Sequence, residues 1–437
     1  MNDQSTTDKA LIENFRRLEN TWENILVTGK AGTGKSTLLR YFYENSSKEK
    51  VVLAPTGIAA INVKGATMHS FFKFPIRPLV RAEKEIHKFG RNSERFKLIK
   101  KLDTIILDEV SMVRADMLDS MDYSLRRNGG EPDKPFGGKQ LIMFGDLFQL
   151  PPVLNKEEAD ATFYYEVYRS PYFFNAYSLR KNPPKLLELE KVYRQSDEQF
   201  IELLDKIRFG TINYEELKQL NQRVDAPSSE GEWLITLTTT NATAQKINKE
   251  KLRSLSSKPV EYKGTIEGKF ERSALPTEEN LELKEGAQVL FIRNDPEERW
   301  VNGSLGKVKK ATKNFLQVEL DNGNEEEVEA VNWEKREYSY DEKKDKVTYE
   351  IAGTFTQYPL KLAWAVTIHK SQGLTFDKVH IDLGRGAFAH GQLYVALSRC
   401  RTLEGITLSK PIQFKDIIVD DSVREFLQNA REDVVES

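Results

Sequence analysis

The chain of 437 residues contains a single cysteine, Cys400, and five histidines. One cysteine excludes an intrachain disulfide and any zinc site built from cysteines. A reducing compartment suits such a chain, so a cytoplasmic location is expected. No apolar stretch approaches the roughly 20 residues that a membrane-spanning helix requires. The polar start Met1-Asn2-Asp3-Gln4-Ser5 lacks the basic-then-apolar pattern of a secretory leader. No membrane partner is therefore expected. Internal repeats and low-complexity tracts are missing as well. Charge of one sign does not prevail either, since the net charge is −2. That balance hides an asymmetry: sixteen basic residues stand against twenty-one acidic ones between Ser257 and Lys346. The rest of the chain is thus net positive, which leaves room for a local basic channel that holds a polyanion.

The length exceeds what one ordinary core accommodates and fits two or three domains. Apolar, β-rich runs at 24–28, 51–54, 104–107 and 140–144 alternate with helical patterns at 36–43, 57–63 and 115–125. That alternation predicts a parallel sheet in an α/β domain. Pro183-Pro184 marks the expected crossing, so residues 1–182 form the first domain. The second opens over 183–255 with a helix at 197–208 and a strand at 233–237. From 256 to 347 the texture changes to short strands at 287–293, 306–311 and 315–320. Asp321-Asn322-Gly323-Asn324 is a hairpin-turn signature leading into 325–331. A small β-barrel inserted into the second α/β domain is expected here. That domain resumes over 348–430, with 431–437 as a frayed tail.

Gly29-Lys30-Ala31-Gly32-Thr33-Gly34-Lys35-Ser36 fits the phosphate-loop pattern, with a strand before it and a helix after it. Glycines let backbone N–H groups turn inward on phosphates, and the helix start adds positive dipole. Gly32, Thr33, Gly34, Lys35, Ser36 and Thr37 are the expected nucleotide contacts. Lys35 is assigned to the β- and γ-phosphates and Ser36 to magnesium. The strand at 104–107 ends in Asp108-Glu109. Asp108 is the expected second magnesium ligand, and Glu109 the group that polarises the attacking water. A carboxylate in that place argues for hydrolysis of ATP rather than mere binding.

Further stretches follow in order. They include Ala54-Pro55-Thr56-Gly57-Ile58-Ala59-Ala60 and Gly65-Ala66-Thr67-Met68-His69-Ser70-Phe71-Phe72. Pro135-Phe136-Gly137-Gly138, Gly145-Asp146-Leu147-Phe148-Gln149-Leu150-Pro151-Pro152 and Val192-Tyr193-Arg194-Gln195 come next. Thr240-Asn241-Ala242-Thr243, Thr367-Ile368-His369-Lys370-Ser371-Gln372-Gly373 and Leu393-Tyr394-Val395-Ala396-Leu397-Ser398-Arg399 complete the series. In these the chain resembles superfamily 1B helicases, specifically the petite-integration-frequency family of 5′-to-3′ DNA helicases. RecD-type helicases share several motifs, but the Pro-Phe-Gly-Gly ending looks more like the former family. The resemblance implies two RecA-like motor domains with an inserted SH3-like β-barrel, Mg2+ and ATP as cofactors, and a near-minimal motor. It assigns Gln149 as γ-phosphate sensor, Arg194 and Arg399 as arginines supplied from the second domain, and Gly373 as a further phosphate neighbour. Thr56, Thr67, His69, Phe72, Thr240, Asn241, His369, Lys370 and Ser371 are the implied contacts to single-stranded DNA. A short pin within about 65–82, around Phe74-Pro75-Ile76-Arg77-Pro78, is the implied wedge at a fork. Tailed or forked duplexes, and by the same resemblance G-quadruplex DNA, are the expected partners of a monomer. The upstream glutamine motif that reads adenine is not identified in this sequence.

Other readings compete. An RNA-directed translocase has the same architecture, and no residue discriminates the sugar. A nucleotide-gated scaffold that does not move is disfavoured by Glu109, Arg194 and Arg399 together. A guanine-specific switch lacks its base-reading motif.

Overall fold

The four apolar runs of the first part are too uniformly hydrophobic to alternate between core and water, and the structure accounts for this. In the computed structural model, which describes residues 2–75, 77–79, 86–154, 164–180, 182–195, 197–224 and 233–435, they are neighbours in one sheet. Its strands are β1 (Ile25–Gly29), β2 (Lys50–Ala54), β3 (Ala66–Thr67), β4 (Thr104–Leu107), β5 (Gln140–Phe144) and β6 (Lys185–Leu189). They lie in the order β3-β2-β4-β5-β1-β6, and every pairing is parallel. Such a sheet is covered on both faces. Ile106 of β4 enters one core with Leu38, Leu39 and Phe42 of the helix Lys35–Asn45. Ile105 and Leu107 enter the opposite core with Leu118, Met121 and Leu125 of the helix Ala115–Arg127.

The expected boundary at residue 182 is not where the sheets divide. β6 follows Pro183-Pro184 directly, yet it pairs with β1 from Ile25↔Lys185 to Gly29↔Leu189. Prolines placed just ahead of a strand remove no ladder bond, so they do not mark a domain edge here. The first lobe therefore runs to about Leu189.

The second lobe starts with the helices Glu198–Phe209 and Tyr214–Asn221, then β7 (Ile235–Thr238) and the helix Asn241–Ser254. Before its other strands form, the chain builds an antiparallel insert. This comprises β8 (Val260–Lys263), β9 (Thr265–Gly268), β10 (Asn280–Leu283), β11 (Gln288–Phe291), β12 (Leu305–Thr312), β13 (Phe315–Leu320), β14 (Glu325–Glu327), β15 (Val331–Asp341), β16 (Lys346–Gln357) and β17 (Leu360–Leu362). Its strand orders are β14-β13-β12-β11-β17, β15-β16-β9 and β10-β8. β18 (Ala365–Thr367), β19 (Val379–Asp382) and β20 (Ile406–Leu408) then complete a parallel sheet in the order β18-β7-β19-β20. The expected end of the insert at 347 also moves. β16 pairs along its length with β15, and β17 pairs with β11, so the insert reaches Leu362. Among the described residues no helix is long and apolar enough to cross a membrane. Of the expected pin, Ile76 and residues 80–85 lie outside the described residues, while Phe74 is buried.

The β15–β16 hairpin leaves the insert and docks on the first lobe. Tyr338 packs in the first-lobe core, and its hydroxyl accepts a hydrogen bond from the Val52 backbone N–H at 3.1 Å. This bond fills a gap in the ladder: β3 has only two residues and pairs with Leu53 and Ala54, which leaves Val52 without a strand on that side. Tyr338→Phe should therefore strand a buried N–H and lower stability by about 1–3 kcal/mol. Urea denaturation measures this, and an unchanged midpoint would remove the bond from the account of stability.

Candidate functional site

β1 ends at Gly29 and the next helix starts at Lys35, so the phosphate loop turns at the carboxyl end of a central strand. Gly32 holds φ at 81°, where a side chain is strained, and a Cβ there would lie 2.5 Å from the Arg194 Cβ. Arg194 thus closes over the loop. Lys35 Nζ donates to the carbonyls of Gly29 at 2.7 Å and Lys30 at 2.9 Å. Burial pushes its pKa down, and nearby Asp146 counters only part of that shift.

Asp108 and Glu109 stand at the carboxyl end of β4. Burial, and then the charge of Glu109, push the Asp108 carboxyl up to about 7. Burial also raises Glu109, against the pull of Lys35 and Arg399. A half-buried carboxylate pair that lines one cleft with the Ser36 hydroxyl is a hard-oxygen donor set. Among the described residues no group of three or more carboxylate, histidine or cysteine side chains is placed to hold a metal ion by itself. That pattern fits Mg2+, which binds through one or two protein oxygens and completes its shell with phosphates and water.

The facing wall comes from the loop after β5 and from the second lobe. Asp146 pairs with Arg208 at 2.9 Å, and both are almost wholly buried. Burial alone would raise Asp146, but Arg208 and Lys35 outweigh it and hold the carboxyl below its ordinary range. Gln149 Nε2 donates to Asp146 Oδ2 at 3.2 Å. Arg399 is 1% exposed. Its guanidinium donates to the carbonyls of Val395 (2.9 Å), Ser371 (3.3 Å) and Leu374 (3.4 Å) and to Ser398 Oγ (2.8 Å). Arg194 reaches across from the first lobe to the carbonyls of Ser398 (3.3 Å) and Gly373 (3.4 Å). Its expected place in the second lobe is corrected, because it follows β6 of the first sheet. Gly32, Thr33, Gly34, Lys35, Ser36, Thr37, Asp108, Glu109, Gln149, Arg194, Gly373 and Arg399 all line a single cleft of ≈ 1340 Å³.

The residues expected to follow a single strand separate into two groups. Thr56, Thr67 and Thr240 each cap a helix that starts at or just beyond a strand end, accepting from the N–H groups of Ala59, Ser70 and Thr243. His69 Nε2 is buried without a hydrogen-bond partner among the described residues. Asn241 and Lys370 are exposed and His369 is half-buried. Phe72 and Ser371 do not belong with them. Phe72 is 0% exposed and stacks on Phe74 at 5.1 Å, because the short helix Met68–Phe72 turns its apolar residues into the first core. Ser371 is equally buried, and its hydroxyl donates to the Ile368 carbonyl at 2.8 Å. Its carbonyl instead holds Arg399.

Sequence reasoning missed several parts of the site. Asp146 and Tyr394 sat inside quoted motifs without a role, and Arg208 carried no signal beyond being a cation in the last helical turn. The N-terminal helix brings Ala10, Leu11 and Asn14 to the cleft, and the insert brings Asn302, Gly303, Asp321 and Asn322. The insert also touches the expected strand track. A Cβ at Gly57 would lie 2.8 Å from the Ala274 Cβ, and Ile61 packs against Phe270, Trp333 and Phe355.

With this geometry in place, comparison with known proteins is informative. The model for PIF1-like helicases matches residues 2–218, and that for the UvrD-like helicase C-terminal domain matches residues 362–404. The ATP-dependent DNA helicase Pif1 of Bdellovibrio bacteriovorus is 33% identical over 412 residues, covering 92% of this chain and 88% of the relative. The crystal structure of Bacteroides sp. Pif1 with ADP-AlF4 is 37% identical and superposes with a TM-score of 0.86, covering 97% of this chain and 96% of that one. Bacteroides Pif1 bound to ssDNA is 39% identical but superposes at only 0.69, covering 97% of each chain. Sequence identity is similar in the two cases, and this chain superposes more closely on the first. The chain belongs to the PIF1-like helicase family.

Proposed function

We propose that this chain is an ATP-dependent DNA helicase that moves 5′-to-3′ on single-stranded DNA and opens tailed or forked duplexes. One observation carries the reading: Lys35 and Glu109 from the first lobe and Arg399 from the second line the same cleft. Lys35, now bound to loop carbonyls, turns to the β- and γ-phosphates when ATP enters. Ser36 and Asp108 would hold Mg2+, which would supply positive charge to the phosphates. Glu109 accepts the proton of the attacking water, and Gln149 reads the γ-phosphate. Arg194 and Arg399 exchange carbonyl oxygens for phosphoryl oxygens, where charge develops in the transition state. The lobes are drawn together while the γ-phosphate is present and are released by its loss.

The strand lies across both lobes on Thr56, Thr67 and His69 of the first and on Thr240, Asn241, His369 and Lys370 of the second. Hydroxyl, amide and cationic groups of this kind bind the phosphodiester chain without reading sequence. The antiparallel insert is read as an SH3-like module, and its covering of Gly57 implies that it shifts when the strand enters. G-quadruplex DNA as a further substrate and a monomeric state in solution complete the reading, on the strength of family membership.

Purified chain should unwind a 5′-tailed duplex and leave a 3′-tailed one intact; the reverse preference would overturn the polarity. Lys35→Ala should abolish phosphate release, and Arg399→Ala should cut turnover by about 10³-fold while sparing single-strand affinity. Wild-type turnover in either variant would remove that residue from the site. The Asp108 carboxyl at about 7 makes cation binding sensitive to acid. A raised pKa means the proton is held up to neutrality and must leave before Mg2+ binds. The Mg2+ concentration that half-saturates ADP binding should thus rise roughly tenfold from pH 8 to pH 6. Calorimetry measures this, and Asp108→Asn should flatten the dependence.

A further inference from the structure

From the wall of the nucleotide cleft, where Ala31 and Asp146 lie, a chain of buried polar groups crosses between the lobes. The Ala31 backbone N–H donates to the Tyr394 hydroxyl at 3.1 Å. That hydroxyl donates in turn to Asp146 Oδ2 at 3.4 Å. Arg208 donates to Asp146 Oδ1 at 2.9 Å and stacks on Phe148, with its guanidinium 4.4 Å from the ring centroid. Ala31, Asp146 and Phe148 belong to the first lobe, whereas Tyr394 and Arg208 belong to two helices of the second. Lys30, next to Ala31, pairs with Asp205 of that same Arg208 helix.

These contacts do more than join two surfaces. Asp146 Oδ2 is shared between Tyr394 and the Gln149 side-chain amide. The other end of that amide, Oε1, accepts from Gln372 of the second lobe at 3.5 Å. Both ends of the Gln149 side chain are therefore oriented by groups whose positions depend on the second lobe. Tyr394 also lies five residues before Arg399, in the short helix Gln392–Leu397 whose C-cap, Ser398, immediately precedes the arginine. A shift of that helix moves the arginine and the phenol together.

We propose that Tyr394 is a positioning residue for ATP hydrolysis: through Asp146 it fixes the Gln149 amide, and through Ala31 it fixes the phosphate loop. The relay ties the γ-phosphate sensor to the helix that carries Arg399, so the sensor is correctly set only when the second lobe is seated. Tyr394 is not among the residues that line the nucleotide cleft. The proposal rests on the reading of this cleft as an ATPase.

The relay is tested by a double-mutant cycle on single-strand-stimulated ATP hydrolysis, with ADP binding by calorimetry as the check that each variant folds. Tyr394→Phe removes one hydroxyl and keeps the ring. It should lower kcat about tenfold and leave KM for ATP within about twofold, the signature of a contact that acts on turnover rather than on ground-state binding. In a Gln149→Ala background the same substitution should lower kcat by less than about twofold, because the group it positions is gone. Equal fold-losses in the two backgrounds would overturn the relay and leave Tyr394 as interlobe packing. An unchanged kcat in Tyr394→Phe alone would do the same. A wild-type protein without ATPase activity would instead sink the reading of the cleft itself, so the two failures are distinguishable.

Discussion

Charge gathered in the cleft between the two lobes, with few counter-charges of its own, is the constraint on which the rest of this molecule depends. Asp146 and Arg208 satisfy each other directly. Their neighbours do not. Lys35 and Arg399 are held by carbonyl oxygens, and Asp108 and Glu109 are raised by burial. Removing an ion from water costs several kcal/mol even after relaxation, and only a well-placed counter-charge recovers it. A triphosphate with its cation would supply both signs at once, negative toward Lys35, Arg194 and Arg399 and positive toward Asp108.

That supply would act between the lobes because of where the cations are rooted. Arg399 is tethered entirely within the second lobe, to Val395, Ser371, Leu374 and Ser398. Arg194 is rooted in the first lobe, packed on Gly32, yet its hydrogen bonds run to second-lobe carbonyls. A phosphate that recruited both arginines would compete with bonds inside the second lobe for Arg399 and with bonds that join the lobes for Arg194, and so it would change how the lobes sit. Single carbonyl contacts at 3.3–3.4 Å are weak enough to exchange for charge-assisted bonds to phosphoryl oxygens.

Much of this was readable from the sequence, for local reasons. The phosphate loop, the Asp108-Glu109 pair and the strands β1, β2, β4 and β5 each rest on a few consecutive residues whose conformation is self-determined. The failures are non-local. Pro183-Pro184 resembles a domain edge until β6 is seen beside β1, a pairing across more than 150 residues of chain. Phe72 and Ser371 stand in motifs of the strand track, but the sense in which a short helix or turn rotates is set by the core beneath it, and both turn inward. Arg208 has no motif at all; only the meeting of two helices with the loop after β5 gives it a partner.

The capping threonines show how one residue type serves fold and binding together. Thr56, Thr67 and Thr240 each spend an oxygen lone pair on a backbone N–H of the first helical turn. A hydroxyl has one proton as well as two lone pairs, so capping by itself does not use the donor, although Thr240 Oγ1 also lies 2.8 Å from the Thr243 hydroxyl. The cap also fixes the rotamer, which means the donor is oriented before any ligand arrives. Helix starts add partial positive charge at the same points. A phosphodiester oxygen is the acceptor that uses both, and it is the same for every base. On the proposed reading, the residues that end the strand-to-helix turns would grip a polymer whose sequence the protein does not need to read.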